Sequence, residues 1–145
     1  MKVRIKKLTD RAIIPTYGSV GSAGGDLYSA EETDVLIEPS KTVLIGTGLA
    51  VEIPDGYVGL VYARSGLATK SGLAPANKVG VIDSDYRGEI KVALHNHSTE
   101  PKTVAKGERI AQMVIAPYLK VEYDEVEDLT DTVRGSGGFG STGKN

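Results

Sequence analysis

The chain of 145 residues contains no cysteine and no tryptophan, one phenylalanine and two histidines. Without cysteine there are neither disulfides nor thiolate zinc sites, and His95 and His97 are too few for a His-rich metal centre. Any metal must then be a hard cation on oxygen ligands. Long apolar runs are missing too, since nothing approaches the roughly 18 residues a membrane span needs. Met1–Leu8 is basic but alternates, and no apolar stretch follows it, so it does not read as a secretory signal. Nor is positive charge in surplus. Lys and Arg total 17 against 19 Asp and Glu, a net charge of -2, which argues against a general electrostatic grip on nucleic acid. These absences suit a soluble, cytoplasmic protein (or a nuclear one in a eukaryote) without membrane or nucleic-acid partners.

What is abundant is glycine, 18 residues gathered in short motifs and in the tail, against a usual share of about 7 per cent. Such clustering points to backbone that closely approaches something else. The length suits one domain with a core of its own. Lys2–Lys7 alternates as a half-buried strand, with Val3 and Ile5 on one face. Further β-rich runs are Asp26–Ala30, Val35–Ile37, Val43–Ile45, Leu49–Ile53, Tyr57–Ala63, Ile90–His95, Arg109–Ala116 and Leu119–Val126. Thr16–Gly25 reads as a Gly/Ser loop, and Pro54-Asp55-Gly56 and Lys106-Gly107-Glu108 read as turns. Only Ser65–Gly72 has a helical chance, about two turns with Leu67 and Ala68 inward. Short strands at about 8–12-residue spacing predict an all-β sandwich or barrel. From Thr130 the composition turns glycine-rich, which predicts a domain over 1–129 and a flexible arm over 130–145. Phe139 stands out in that arm as a large ring that a mere linker does not need.

Three stretches carry chemistry. In Gly80–Ile90, Asp83 and Asp85 stand two apart beside Tyr86; were the segment extended, both carboxylates would face one pocket. Paired carboxylates suit acid–base work or cation binding, whereas a hairpin turn would use the same Asp, Ser and Gly residues. Arg64-Ser65-Gly66 sits where a strand becomes the short helix. There Ser65 serves either as N-cap or as a phosphate contact, with Arg64 as a charged fork beside free helical N–H groups. Asp26 follows Gly24-Gly25, and Arg109, Gln112, Arg134 and Lys144 can extend an anion site, although Gln112 can equally be a water-facing strand residue. An anion cradle plus carboxylates able to hold a divalent cation describes a polyphosphate site.

Five ordered stretches make the sequence resemble the trimeric deoxyuridine triphosphate nucleotidohydrolases (dUTPases). They are Ala23-Gly24-Gly25-Asp26-Leu27, Arg64-Ser65-Gly66-Leu67-Ala68, Gly80–Ile90, Gly107-Glu108-Arg109-Ile110-Ala111-Gln112, and Arg134–Gly143. Ala63 departs from the Pro or Gly that members often carry there. The resemblance implies a jelly-roll-like β-barrel with one short helix and a Gly-rich arm. It also implies a homotrimer whose sites take motifs from two subunits and are closed by the arm of the third. Sixteen residues from Thr130 can span up to about 50 Å when extended, enough to reach a neighbour.

The implied reaction is hydrolysis of dUTP to dUMP and pyrophosphate with Mg2+, limiting uracil in DNA and supplying dUMP for thymidylate. By resemblance Asp83 is the base for water attack on the α-phosphorus, and Asp26 holds magnesium through water. Arg64, Ser65, Gly66, Gln112 and Arg134 resemble phosphate ligands. Phe139 with Gly140 resembles the lid over uracil, and Ser141 and Thr142 would meet the γ-phosphate. Tyr86 would pack under the deoxyribose, while Asn77 and the backbone of Gly80 and Ile82 would read the uracil edge. Asp85 and Arg109 would support the site. Two other readings compete: a deoxycytidine triphosphate deaminase using a glutamate such as Glu89, and a non-catalytic nucleotide sensor.

Overall fold

In the computed structural model, residues 1–138 are described. They form twelve strands and one helix. In chain order the elements are β1 (Arg4–Lys7), β2 (Thr16–Tyr17), β3 (Gly25–Tyr28), β4 (Val35–Ile37), β5 (Thr42–Gly46), β6 (Leu49–Glu52) and β7 (Tyr57–Tyr62). Helix α1 (Ser65–Ser71) follows, then β8 (Leu73–Pro75), β9 (Val79–Ile82), β10 (Lys91–Asn96), β11 (Lys102–Val104) and β12 (Arg109–Pro117). Alternation explains most of them. In β10, Val92, Leu94 and Asn96 are buried while Lys91 is exposed, the period-2 signature of a strand with one face on the core.

All strand pairings among the described residues are antiparallel, in four sheets: β2-β3-β12-β7-β9, β5-β10-β8, β1-β6 and β4-β11. The all-β expectation holds, but among the described residues hydrogen bonding does not close the sheets into a barrel. The reason is local: β1, β4 and β11 each pair with a single neighbour and are three or four residues long. What unites the sheets is one core. Leu27, Val61 and Met113 of the five-stranded sheet, Ile45 and Leu94, Ile37 and Val104, and Leu49 and Val51 all belong to it. Asn96 lies wholly buried within this core. Its amide donates to the carbonyls of Ile37 and Glu100, and its oxygen accepts from the N–H and hydroxyl of Ser98.

Two expectations are overturned. Leu119–Val126 forms no strand; residues 118–136 are exposed, with Leu119 and Tyr123 at 90% and 92%. Alternation alone does not make a strand; pairing does, and no described strand pairs with these residues. Ser65 is not the N-cap either. Arg64 occupies that position in extended conformation without a side-chain cap bond, so Ser65 begins the helix. Gly72 ends it in left-handed conformation. Thr16–Gly25, read as a loop, also contributes β2 at its start and the first residue of β3 at its end.

The β5–β6 connection leaves no room for a side chain at Gly48. Gly48 has φ +64°, and a Cβ there would lie 2.4 Å from Thr9 Cγ2 and 2.9 Å from Ala12 Cβ. Gly48→Ala should therefore cost about 2–4 kcal/mol, combining left-handed backbone strain with overpacking. Thermal unfolding checks this; a midpoint unchanged from wild type would contradict it.

Candidate active site

On the five-stranded sheet, β12 runs between β3 and β7 and carries two candidate residues, Arg109 and Gln112, three apart. In a regular strand they would face opposite sides. A register shift between Arg109 and Ala111 leaves both on one face: Arg109 pairs with Tyr28, and Gln112 pairs with Asp26. Ile110 and Ala111, consecutive and both fully buried, mark the bulge.

This geometry builds a cationic corner. The Asp26 carboxylate, 13% exposed, accepts from Arg64 Nε at 2.9 Å on Oδ1 and from Arg109 Nη1 at 3.1 Å on Oδ2. Asp26 thus orients two guanidiniums, and Arg64 Nη1 also reaches the Arg109 carbonyl at 3.5 Å. Arg109 reaches the same carboxylate from β12. Gln112 donates from Nε2 to the Ala63 carbonyl at 2.9 Å, which fixes the end of β7 just before α1. Its Oε1 would lie 2.5 Å from a Cβ at residue 24, so Gly24 is required by this side chain. The reading of Gln112 as a water-facing strand residue fails, because it is half-buried and bonded. Ser65 and Gly66 are exposed in the first turn of α1, where N–H groups have no carbonyl one turn earlier.

The Asp83 loop lies elsewhere. Asp83 follows β9 directly, and Tyr86 N–H donates to its carbonyl at 3.2 Å, so the two acids sit in a turn rather than on one extended face. Both nevertheless line one cleft of about 980 Å3, together with Asp55, Tyr118 and Lys120. Asp83 also borders a smaller hollow of about 270 Å3 with Tyr86, Ile82 and Glu89. Arg87, which sequence reasoning passed over, donates from Nη1 to the carbonyls of Ser84 (2.6 Å) and Tyr86 (3.0 Å) and so holds the turn. Its three-residue offset from Ser84 was the only available signal. At the other end of β9, Asn77 and Gly80 are neighbours: a Cβ on Gly80 would meet Asn77 Nδ2 at 3.4 Å.

Glu89 is a structural group. Its Oε1 accepts from Gly48 N–H at 2.8 Å and its Oε2 pairs with Lys91 at 3.4 Å. A carboxylate so engaged gives no support to deamination. His95 and His97 form an edge-on pair at 4.4 Å, with His95 Nδ1 and Thr42 Oγ1 in hydrogen-bond contact at 2.9 Å. Partial desolvation, then His95 and Lys78, lower the His97 pKa below the usual imidazole value. Neither histidine borders the two hollows beside Asp83.

A single chain does not bring the candidate residues together. Asp26, Gln112, Tyr62 and Val79 stand in one row across the sheet, three strand spacings or about 14 Å wide. Asp83 lies four residues beyond Val79, about 13 Å further along the strand direction. Among the described residues Arg134 bonds within its own turn, Nε to the Gly137 carbonyl at 2.7 Å. Phe139, Gly140, Ser141 and Thr142 lie outside the described residues.

A family model described as dUTPase matches residues 10–143. A deoxyuridine 5'-triphosphate nucleotidohydrolase of Nautilia profundicola is 58% identical over 99% of this chain and 100% of its own length. One from a Hydrogenobaculum species is 50% identical over 99% of each. Among solved structures, a Staphylococcus bacteriophage 80alpha dUTPase mutant with dUpNHpp superposes with a TM-score of 0.90 at 32% identity, covering 99% of both chains. A mutant dUTPase from phage phi11 of S. aureus, described as revealing the coordination of a structural Mg(II) ion, has a TM-score of 0.80 at 28% identity, covering 88% of this chain and 98% of that one. With a family model over residues 10–143 and such relatives covering it nearly from end to end, the chain belongs to the dUTPase family and hydrolyses dUTP to dUMP.

Proposed function

We propose that this hydrolysis occurs at sites completed between three copies of the chain, with Asp83 as the base and pyrophosphate as the leaving group. The observation that carries this reading is the separation within one chain of the Arg64–Asp26–Arg109 corner from Asp83. Reaction at the α-phosphorus needs the base and the phosphate-binding cations gathered around one triphosphate. Two copies supply both when the corner of one faces the Asp83 loop of the other. The exposed apolar residues after β12, Leu119, Val121, Tyr123 and Leu129, support such an assembly, since they would otherwise stand in water.

In that site Asp83 takes a proton from the attacking water, and Asp85 with Arg87 holds its turn. Arg64, Ser65, Gly66, Gln112 and the arm's Arg134 bind phosphate oxygens, so charge is neutralised before reaction. Tyr86 packs under the deoxyribose. Asn77 and the Gly80 and Ile82 backbone read the uracil edge, and Phe139 closes over the base with Gly140, Ser141 and Thr142. The all-β domain is 1–129 and the arm 130–145, in a cytoplasmic enzyme; no helix among the described residues is long and apolar enough to cross a membrane.

Magnesium fits only in one manner. Among the described residues no three acidic or histidine side chains gather to hold an ion, and both Asp26 oxygens already accept from guanidiniums. Each oxygen keeps a second lone pair for a water, and magnesium commonly retains several waters and takes its other ligands from substrate phosphates. Asp26 would therefore hold the ion through water; when bound, the ion supplies charge neutralisation on the triphosphate.

With Mg2+ present, pyrophosphate should appear from dUTP and far less from dCTP, dTTP, UTP or ATP, and light scattering should give a trimer mass. Ammonia from dCTP, or dUTP binding without turnover, would replace the reading with a deaminase or a sensor. A monomer at full activity would remove the shared site.

A further inference from the structure

Gly88 is an unexplained glycine two residues after Tyr86. Its φ is not among the positive values of the chain, so the backbone at 88 would accept an ordinary side chain. What would not accept it is the Tyr86 ring. The Tyr86 hydroxyl donates to the Glu89 carbonyl at 3.0 Å, which folds the phenol back over residues 88 and 89. A Cβ on Gly88 would lie 2.4 Å from the hydroxyl oxygen, 2.6 Å from Cζ and 2.9 Å from Cε2. Real carbon atoms do not approach so closely, so something would have to move.

The backbone has little freedom to do so. Beyond Gly88, Ile90 N–H donates to Leu49 at 2.8 Å, and the Ile90 carbonyl accepts from both the N–H (3.2 Å) and the hydroxyl (2.7 Å) of Thr47. The Glu89 carboxylate is held by Gly48 N–H at 2.8 Å. Before it, Arg87 grips the carbonyls of Ser84 and Tyr86. The ring, by contrast, is 44% exposed and borders the hollow beside Asp83. It can swing without opening the core.

We propose that Gly88, together with the Glu89 carbonyl, is the seat that sets the position of the Tyr86 ring, and thereby sets how strictly the enzyme separates deoxyribo- from ribonucleoside triphosphates. This rests on the reading of Tyr86 as the residue under the sugar. Exclusion of a 2′-hydroxyl by contact is steric, so displacing the ring by about the width of a methyl group removes it. Gly88 touches no substrate; it is a positioning residue.

The test measures kcat and KM for dUTP and UTP in the wild type, Gly88→Ala, Tyr86→Ala and the double variant. In Gly88→Ala the dUTP-over-UTP ratio of kcat/KM should fall by about tenfold or more. The change should appear more in KM than in kcat, with the melting temperature close to wild type. In the Tyr86→Ala background Gly88→Ala should add nothing, because no ring remains for the new methyl to meet. A wild-type ratio in Gly88→Ala, alongside a lowered ratio in Tyr86→Ala, would overturn the seat while leaving the sugar contact standing. An unchanged ratio in Tyr86→Ala would overturn the sugar contact, and the seat with it. Additive effects in the double variant would mean that Gly88 acts through something other than the ring, which also overturns the proposal. Should Gly88→Ala fail to fold, Tyr86→Phe, which loses the bond to the Glu89 carbonyl, must lower the ratio; a wild-type ratio there overturns the seat.

Discussion

Asp83→Asn should abolish nearly all turnover while leaving dUTP bound. The two side chains have the same shape, but a carboxylate accepts a proton and a neutral amide does not. Positioned proton transfer contributes about 10²–10⁴-fold, so kcat should drop by about a thousandfold, or ~4 kcal/mol of barrier. The fold gives no reason for collateral damage. Asp83 is exposed, its turn is closed through its backbone carbonyl, and no hydrogen bond to its carboxylate is found among the described residues. Calorimetric titration with a non-hydrolysable dUTP analogue should give an affinity near wild type, and single-turnover kinetics should carry the whole loss. A kcat within about threefold of wild type would show that another group takes the proton.

The longer strands were legible because one face of each meets the core. Leu49 and Val51, and Val92 and Leu94, lie where alternation puts them, all buried. The same rule failed at Leu119–Val126, since alternation is necessary for a half-buried strand and says nothing of whether an edge is available. It also missed β11, whose Lys102-Thr103-Val104 is too short to show a period and exists because β4 pairs with it.

The site was legible in its parts more than in their joining. Asp26, Arg64 and Arg109 could each be singled out by residue type, but their meeting on one carboxylate depends on a bulge at Ile110 that no local pattern announces. The bulge also turns Gln112 to the same face, and Gly24 is small because of Gln112, a reason visible only across strands. Asp83 and Asp85 do line one cleft, yet by a turn that Arg87 holds rather than by strand alternation. The distance between this loop and the cationic corner is a property of sheet register, which the order of motifs along the chain conceals. Order made the five stretches look contiguous; register puts three strand spacings between Asp26 of the first and the strand that leads to Asp83 of the third.

Truncation after Thr132 should leave the fold intact and cut kcat/KM for dUTP by about 10²–10³-fold. Every described strand ends by Pro117, and residues 118–136 are exposed, so among the described residues the core loses none of its members when the chain is cut after Thr132. The deletion takes Arg134, Phe139, Ser141 and Thr142 together, a guanidinium on the phosphates and the ring over the base; closure of such an arm excludes water and completes the site. Loss of ~3–4 kcal/mol follows if these groups act mainly in the closed complex. Thermal melting should match the full chain. The decisive measurement mixes the two crippled proteins: truncated chains, which keep Asp83, are co-refolded with full-length Asp83→Asn chains, which keep the arm. If the arm of one copy closes over the Asp83 of another, mixed assemblies should regain turnover well above either parent. No recovery in assemblies shown by mass to be mixed would mean that each arm serves its own Asp83, and the site would not be shared in this way.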